Sequence, residues 1–317
     1  MNRSLVLLSG EGTTIPAAEA KALFLAYDPE ARFSFAEKRV MVAESAAEPW
    51  PVARRVAFAR RVGLLLEDPA DASPWVKGKK VRLSVFRTTA SRPAADPEKL
   101  LRGVDSEVDL ANPDYELTVV DGERRYFALT IPGDMDQGWH LRSPRRRAFF
   151  HPAAIFPKLS RALVNLTRCR EGQVLLDPFA GTGSILLEAD RVGMRPLASD
   201  QTSAMSRGAL ANMRKFGQSW LGIIRADAFS LPLLRVDAIA TDAPYGRAAS
   251  TRGSGPATVV GKALESFPAL LRSGSRMVLM HAKDNPVQTT GELVVEEEHH
   301  LYVHKRLTRA ITVLRRR

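Results

Sequence analysis

The sequence predicts an α/β chain, with a doubly wound parallel sheet in its second half and smaller α+β segments before it. Three observations lead there. From Gly172 onward, short apolar runs alternate with stretches of helical period, the pattern of strands joined by helical crossovers. Two of those runs, Val174–Leu176 and Val236–Ala240, break at their ends into Gly- and Pro-containing loops. In the first 130 residues the strand-like runs are instead separated by hairpin-sized turns, as in a small antiparallel unit.

Taken in order, Arg3–Leu8 reads as a strand and Pro16–Leu25 as a helix with proline at its start. Arg32–Phe35 and Arg39–Ala43 read as a hairpin. Val52–Leu66 reads as a helix, with Val52, Val56, Ala59, Val62, Gly63 and Leu66 on one face and paired arginines opposite. Lys80–Phe86 alternates like a strand and Asp96–Leu101 suits a short helix. Tyr115–Val120 and Arg125–Ile131 frame the turn signal Asp121-Gly122. A linker then runs into four arginines and a helix through Ile155, Leu159, Ala162, Leu163 and Leu166. In the second half, strands are expected at Gln173–Leu176, Pro196–Ser199, Gly222–Arg225, Val236–Thr241 and Arg276–His281. Helices are expected at Gly183–Val192, Thr202–Phe216 and Ala257–Leu271. Glu292–His304 and Ala310–Leu314 close the sheet as an antiparallel pair.

The chain of 317 residues carries 46 Lys+Arg against 35 Asp+Glu, a net +11 with a pI near 10.1, which is an electrostatic footprint for nucleic acid. Basic clusters at Lys77, Lys79, Lys80 and Arg82, and at Arg142, Arg145, Arg146 and Arg147, are the candidate RNA-binding residues. A single cysteine, Cys169, excludes a disulfide framework and a cysteine-built metal site. His299, His300 and His304 fall in a strand without ligand spacing, so no metal is expected, and His151 before a helix reads as structural. The longest early apolar run, Leu5–Leu8, is too short for a signal peptide or membrane span, which places the protein in the cytoplasm.

The two loops carry the chemistry. In Asp177-Pro178-Phe179-Ala180-Gly181-Thr182-Gly183 the glycines permit a tight turn and close backbone approach to a ligand, ahead of a helix N-terminus. Asp200 ends the next strand, 23 residues after Asp177, where such folds place an acid on a ribose diol. Asp227, after the third strand in Arg225-Ala226-Asp227-Ala228, is positioned for an adenine edge. A dinucleotide site would want a third glycine near Leu186, and the P-loop Gly-Lys-Ser/Thr is missing. In Asp242-Ala243-Pro244-Tyr245, Asp242 and the Ala243 carbonyl are two acceptors for a nucleobase amine, and Tyr245 is an aromatic face for the base. Ligands bind outside the carboxyl ends of strands in such sheets, so both loops are expected to face one hollow.

Three resemblances sharpen this. Val108–Val120 (VDLANPDYELTVV) resembles the THUMP domain, an RNA-binding module of tRNA-modifying enzymes. Asp177–Gly183 with Asp242–Tyr245 is similar to the class I S-adenosylmethionine-dependent methyltransferases of base amines. The run from Arg142 through Phe150-His151-Pro152 and Arg161–Leu166, with Tyr302–Arg309, resembles the archaeal tRNA guanine-N2 methyltransferases acting at position 10. The resemblance implies a Rossmann-like methyltransferase domain over 151–317, a linker over 133–150, a THUMP domain over 70–132 and a ferredoxin-like domain over 1–69. It implies S-adenosylmethionine held by Asp177, Phe179, Ala180, Gly181, Thr182, Gly183, Asp200, Asp227 and Ala228, catalysis by Asp242, Ala243, Pro244 and Tyr245, and tRNA as partner to a monomer. Ala243 stands where the family usually has proline; the acceptor there is a backbone carbonyl, so the chemistry is retained. The alternatives are an N-methyltransferase acting on another RNA or an adenine N6, and a catalytically weakened tRNA-binding paralogue.

Overall fold

The computed structural model describes residues 1–11, 13–88, 96–244, 256–289 and 291–317. The chain divides into two units, one of Met1–Gly12 with Pro16–Gln137 and one of Thr13–Ile15 with Gly138–Arg317.

The first unit is built on β1 (Asn2–Leu8), α1 (Ile15–Tyr27), β2 (Arg32–Glu37), β3 (Val40–Ser45), α2 (Pro49–Arg55) and β4 (Ala59–Leu66). It continues with α3 (Ser73–Val76), β5 (Lys80–Arg87), α4 (Pro97–Leu101), β6 (Glu107–Val108), β7 (Tyr115–Asp121) and β8 (Arg125–Thr130). The eight strands form one sheet in the order β2-β3-β1-β4-β8-β7-β5-β6, so residues on both sides of position 69/70 share a ladder through β4 and β8. Leu23, Phe24, Val52, Ala53 and Val56 bury the first two helices against Val6, Met41 and Val62 of the sheet.

One expectation fails here. Val52–Leu66 is not a single helix: α2 ends at Arg55, Val56 is extended (φ −62°, ψ 136°), and residues 59–66 form a central strand between β1 and β8. The apolar spacing matched a helical face, but the sheet claims this segment. Gly63 shows why: a Cβ there would lie 2.3 Å from the Leu129 carbonyl oxygen, so only glycine lets the two backbones approach. The chain reverses where Ala57 and Phe58 N–H donate to the buried Glu19 carboxylate at 3.0 and 2.8 Å.

The second unit holds α5 (Pro157–Leu166), β9 (Val174–Asp177), α6 (Ser184–Arg191), β10 (Arg195–Ser199), α7 (Ser203–Lys215), β11 (Gly222–Ile224) and β12 (Val236–Asp242). It ends with α8 (Pro256–Ser266), β13 (Leu271–Ala282), β14 (Leu293–His304) and β15 (Leu307–Arg316). Its sheet runs β11-β10-β9-β12-β13-β15-β14, with the first five strands parallel and β15 antiparallel to both neighbours. The chain winds outward from β9 to β11, then returns to the other side of β9 as β12. β9 and β12 therefore flank the point where the strand order reverses, the place where open α/β sheets leave a crevice.

Candidate active site

The glycine loop follows β9 and is fixed from three sides. Ala180 N–H donates to the Ser199 carbonyl at 2.9 Å, and Gly181 N–H donates to Asp200 Oδ2 at 3.0 Å. Gly181 and Gly183 adopt φ of +51° and +78°, conformations that side chains with a Cβ seldom take. A Cβ on Gly183 would also press within 3.2 Å of Ala209 Cβ. Gly183 then opens α6.

The second loop leaves β12 beside it. Thr241 Oγ1 donates to Asp177 Oδ1 at 2.6 Å, a buried bond that ties the two strand ends together. Ala243 N–H donates to the Met280 carbonyl at 2.9 Å, which prolongs the β12–β13 ladder to the brink of the crevice. Burial pushes the Asp177 carboxyl up to about 7; the Thr241 and Phe179 hydrogen bonds pull the other way, and the charges of Asp242 and Asp200 add to the rise.

A cavity of about 430 Å³ opens between the loops. Asp177, Phe179, Ala180, Gly181, Thr182, Asp200, Asp227, Ala228, Asp242, Ala243 and Pro244 all line it. Of the expected cofactor residues only Gly183 does not, sitting behind the loop as the helix cap. Tyr245 lies outside the described residues. Asp227 accepts from Phe229 N–H at 3.0 Å, and Phe229 packs edge-on against Phe179 with ring centroids 5.9 Å apart, forming an aromatic wall. His151, expected to be structural rather than a ligand contact, also lines the cavity, as do Lys262 and Arg309, for which no such role was expected.

Two expected RNA-binding arginines are not on the surface. Arg142 and Arg147 are buried, at 3% and 6% exposure, so neither guanidinium can meet a phosphate. Arg142 pairs with Glu188 at 2.8 Å, and Arg161 reaches the same carboxylate at 2.7 Å, with the Trp139 ring lying over both cations. Arg147 Nη1 donates to Thr182 Oγ1 and Ser184 Oγ at 3.2 and 2.5 Å, its Nη2 to the Ile155 carbonyl at 3.1 Å, and its Nε to the Arg142 carbonyl at 3.2 Å. Asn212, fully buried in α7, completes this clamp. Its Oδ1 accepts from Phe149 N–H at 2.8 Å, and its Nδ2 donates to the carbonyls of Phe149 and Thr182, both at 2.9 Å. The strap over residues 147–155 is thereby fastened to the underside of the glycine loop, and His151, Ala153, Ala154 and Ile155 form part of the cavity wall. Arg145, Arg146, Lys77 and Lys79 are exposed. Lys80 is engaged by Asp109 at 2.9 Å, and Arg82 helps Arg61 neutralise the buried Glu116.

Comparison with known proteins agrees with this architecture. Residues 144–311 match the family described as RMKL-like, methyltransferase domain. The chain belongs to that family. It is 28% identical over 333 residues to a tRNA (guanine(10)-N2)-dimethyltransferase of Methanothermobacter thermautotrophicus, covering 98% of this chain and 99% of the relative. It is 30% identical to a tRNA (guanine(6)-N2)-methyltransferase of Thermus thermophilus, covering 71% and 72% of the two chains. The crystal structure of TrmN from Thermus thermophilus superposes with a TM-score of 0.53 over 99% of this chain and 100% of that one, at 20% identity. The second unit is thus a Rossmann-like class I methyltransferase domain, and the protein is a methyltransferase. Among the described residues no helix is long and apolar enough to cross a membrane.

Proposed function

We propose that the protein transfers a methyl group from S-adenosylmethionine to the exocyclic N2 amine of a guanine in tRNA, at position 10. The observation that carries this reading is the single cavity shared by the glycine loop and the Asp242 loop, with their strands tied by the Thr241–Asp177 bond. The full-length likeness to a guanine(10)-N2 enzyme supports the choice of substrate and position.

The residues present suit the cofactor. A cavity of about 430 Å³ lies within the range of small-molecule sites. A Cβ placed on Gly181 would meet no atom nearer than 4.0 Å, so the loop leaves unfilled space beside its backbone. Among the cavity-lining residues, Asp200 would accept from a ribose diol, Asp227 and Ala228 would meet the adenine edge, and Phe179 and Phe229 would give the ring an apolar wall. Bound there, S-adenosylmethionine supplies an electrophilic methyl on its sulfonium.

An aryl amine is a poor nucleophile because its lone pair is delocalised into the ring. Asp242 and the Ala243 carbonyl accept the two N2 hydrogens, which favours localisation of that pair and orients it. Pro244 biases Ala243 towards an extended backbone, which sets the direction of that carbonyl without the proline usual in the family. Tyr245 stacks the splayed base. Asp242 or water would take the N2 proton that the amine gives up on methylation, the sulfur keeping the electron pair of its broken bond to the methyl and leaving as a thioether. Positioning and exclusion of water supply most of the effect.

We read 1–69 as a ferredoxin-like segment and 70–132 as a THUMP segment, whose strands share one sheet through β4 and β8, with 133–150 as a linker and 151–317 as the catalytic domain. We place the protein in the cytoplasm as a monomer. The test is methyl incorporation into unmodified tRNA followed by nucleoside digestion. N2-methylguanosine from the parent and its loss in Asp242→Ala are expected. N6-methyladenosine, or an active Asp242→Ala variant, would overturn the assignment.

A further inference from the structure

The hairpin of β14 and β15 turns at His304-Lys305-Arg306, and the strand register puts that turn at the cavity's end of the sheet. Asp242 lies opposite Met280 in β13, and two residues later Ala282 lies opposite Arg309 of β15. Arg309 itself lines the cavity. Arg306 and Lys305 are three and four residues before it in the chain, roughly 10–13 Å at strand rise. β15 stands two ladder spacings from β12, about 10 Å sideways. The turn therefore projects beyond one flank of the cavity mouth, within reach of nucleotides next to a base held there.

Its chemistry is distinctive. Tyr302 is 68% exposed and Val303 41%, beside the exposed His304, Lys305 and Arg306. Lys283, tied to the same turn by its N–H donating to the Thr308 carbonyl at 2.9 Å, adds a third cation, with Asp284 the neighbouring acid. The acids of β14 stand well back from the turn and are already engaged. Glu296 pairs with Arg276 and Arg315, Glu297 with His299, and Glu298 with His300. Among the described residues, Lys283, Lys305 and Arg306 have no acidic partner. Charges alone could serve only to keep an edge hairpin from pairing with another chain. An exposed tyrosine and valine work against that purpose, whereas an aromatic ring among cations is the make-up of a single-stranded nucleic-acid contact.

We propose that this hairpin turn is a second RNA contact, in which Tyr302 stacks on an unpaired base flanking the target and Lys283, Lys305 and Arg306 hold the adjoining phosphates. The proposal rests on the reading of the cavity as a site of RNA base methylation. It is tested in the full chain with Tyr302→Ala, Tyr302→Phe and the double variant Lys305→Ala/Arg306→Ala. Affinity for an unmodified tRNA transcript is measured across salt concentrations, and S-adenosylmethionine affinity by calorimetry. Tyr302→Ala is expected to weaken tRNA binding about 5- to 100-fold, with Tyr302→Phe close to the parent. The double variant is expected to lower the slope of log affinity against log salt by about 1.4. Cofactor affinity stays at the parent value in all three. Unchanged tRNA affinity, an altered oligomeric state with unchanged tRNA affinity, or a parallel loss of cofactor binding would each overturn the proposal. A parent that binds tRNA yet methylates no guanine would instead sink the catalytic reading, leaving the binding comparison intact.

Discussion

Arg147 offers the sharpest perturbation of how the glycine loop is held. Arg147→Ala removes four donors at once: two to the hydroxyls of Thr182 and Ser184, and two to the carbonyls of Ile155 and Arg142. Hydrogen bonds from a charged group are worth about 1.5–3 kcal/mol each. Thr182 and Ser184 can still bond to one another at 3.3 Å, so the hydroxyls lose less than the carbonyls. A loss of roughly 4–7 kcal/mol is therefore at stake. Burial of the guanidinium, aided by Arg142 and opposed by Glu188, brings its pKa down from 12.5 to about 10, a desolvation cost that offsets part of those bonds and that the alanine variant recovers. The bonds win by about 1–4 kcal/mol, a fall in melting temperature of about 3–15 °C for a domain of this size. The loop also loses its support from below, so S-adenosylmethionine affinity is expected to fall about tenfold or more while tRNA affinity holds. Arg147→Lys, which keeps the charge but not the fork, should lie between the two. Thermal denaturation with and without cofactor reads both effects. A variant that melts within a degree of the parent and binds cofactor equally well would refute the clamp.

Three other outcomes follow from the same geometry. Glu188→Gln leaves the buried Arg142 and Arg161 guanidiniums without their shared counter-charge and should cost about 3–5 kcal/mol, read as a drop in the urea midpoint. Because the Asp177 carboxyl is raised from 3.8 to about 7, the folded state holds its proton through that window better than the unfolded chain does, so this group's contribution to stability falls as pH rises from about 4 to 7. Asp177→Asn should match the parent near pH 4 and be relatively more stable at pH 8; the reverse order in urea titrations would contradict the assignment. Gly63→Ala forces β4 away from Leu129 and should destabilise the first unit by at least about 2 kcal/mol, detectable as loss of amide protection in β4 and β8.

Much of the second unit was legible because each strand is a short apolar run closed by Gly, Pro or Asp, and each intervening helix keeps its period. The adjacency of β9 and β12 followed from winding rules, since two strand–helix units separate their loops. The bond from Thr241 to Asp177 was not legible, because a threonine inside an apolar run carries no mark of its partner. Residues 52–66 misled because their apolar spacing satisfied a helical face. The competing signal was Gly63, a poor helix interior residue whose value appears only when Leu129 arrives from far along the chain. The arginine run misled for a related reason. Arg142, Arg145, Arg146 and Arg147 are chemically alike, but two are drawn inside by Glu188, Thr182 and Ser184, and nothing local distinguishes them from the exposed pair.

The decisive measurement is a crystal structure of the protein with S-adenosylhomocysteine. The sulfur is expected in the cavity between the glycine loop and Asp242, with the ribose at Asp200 and the adenine beside Asp227 and Phe229. Density for the ligand elsewhere, or a cavity mouth at Asp242 turned away from the sulfur, would contradict the shared-site account.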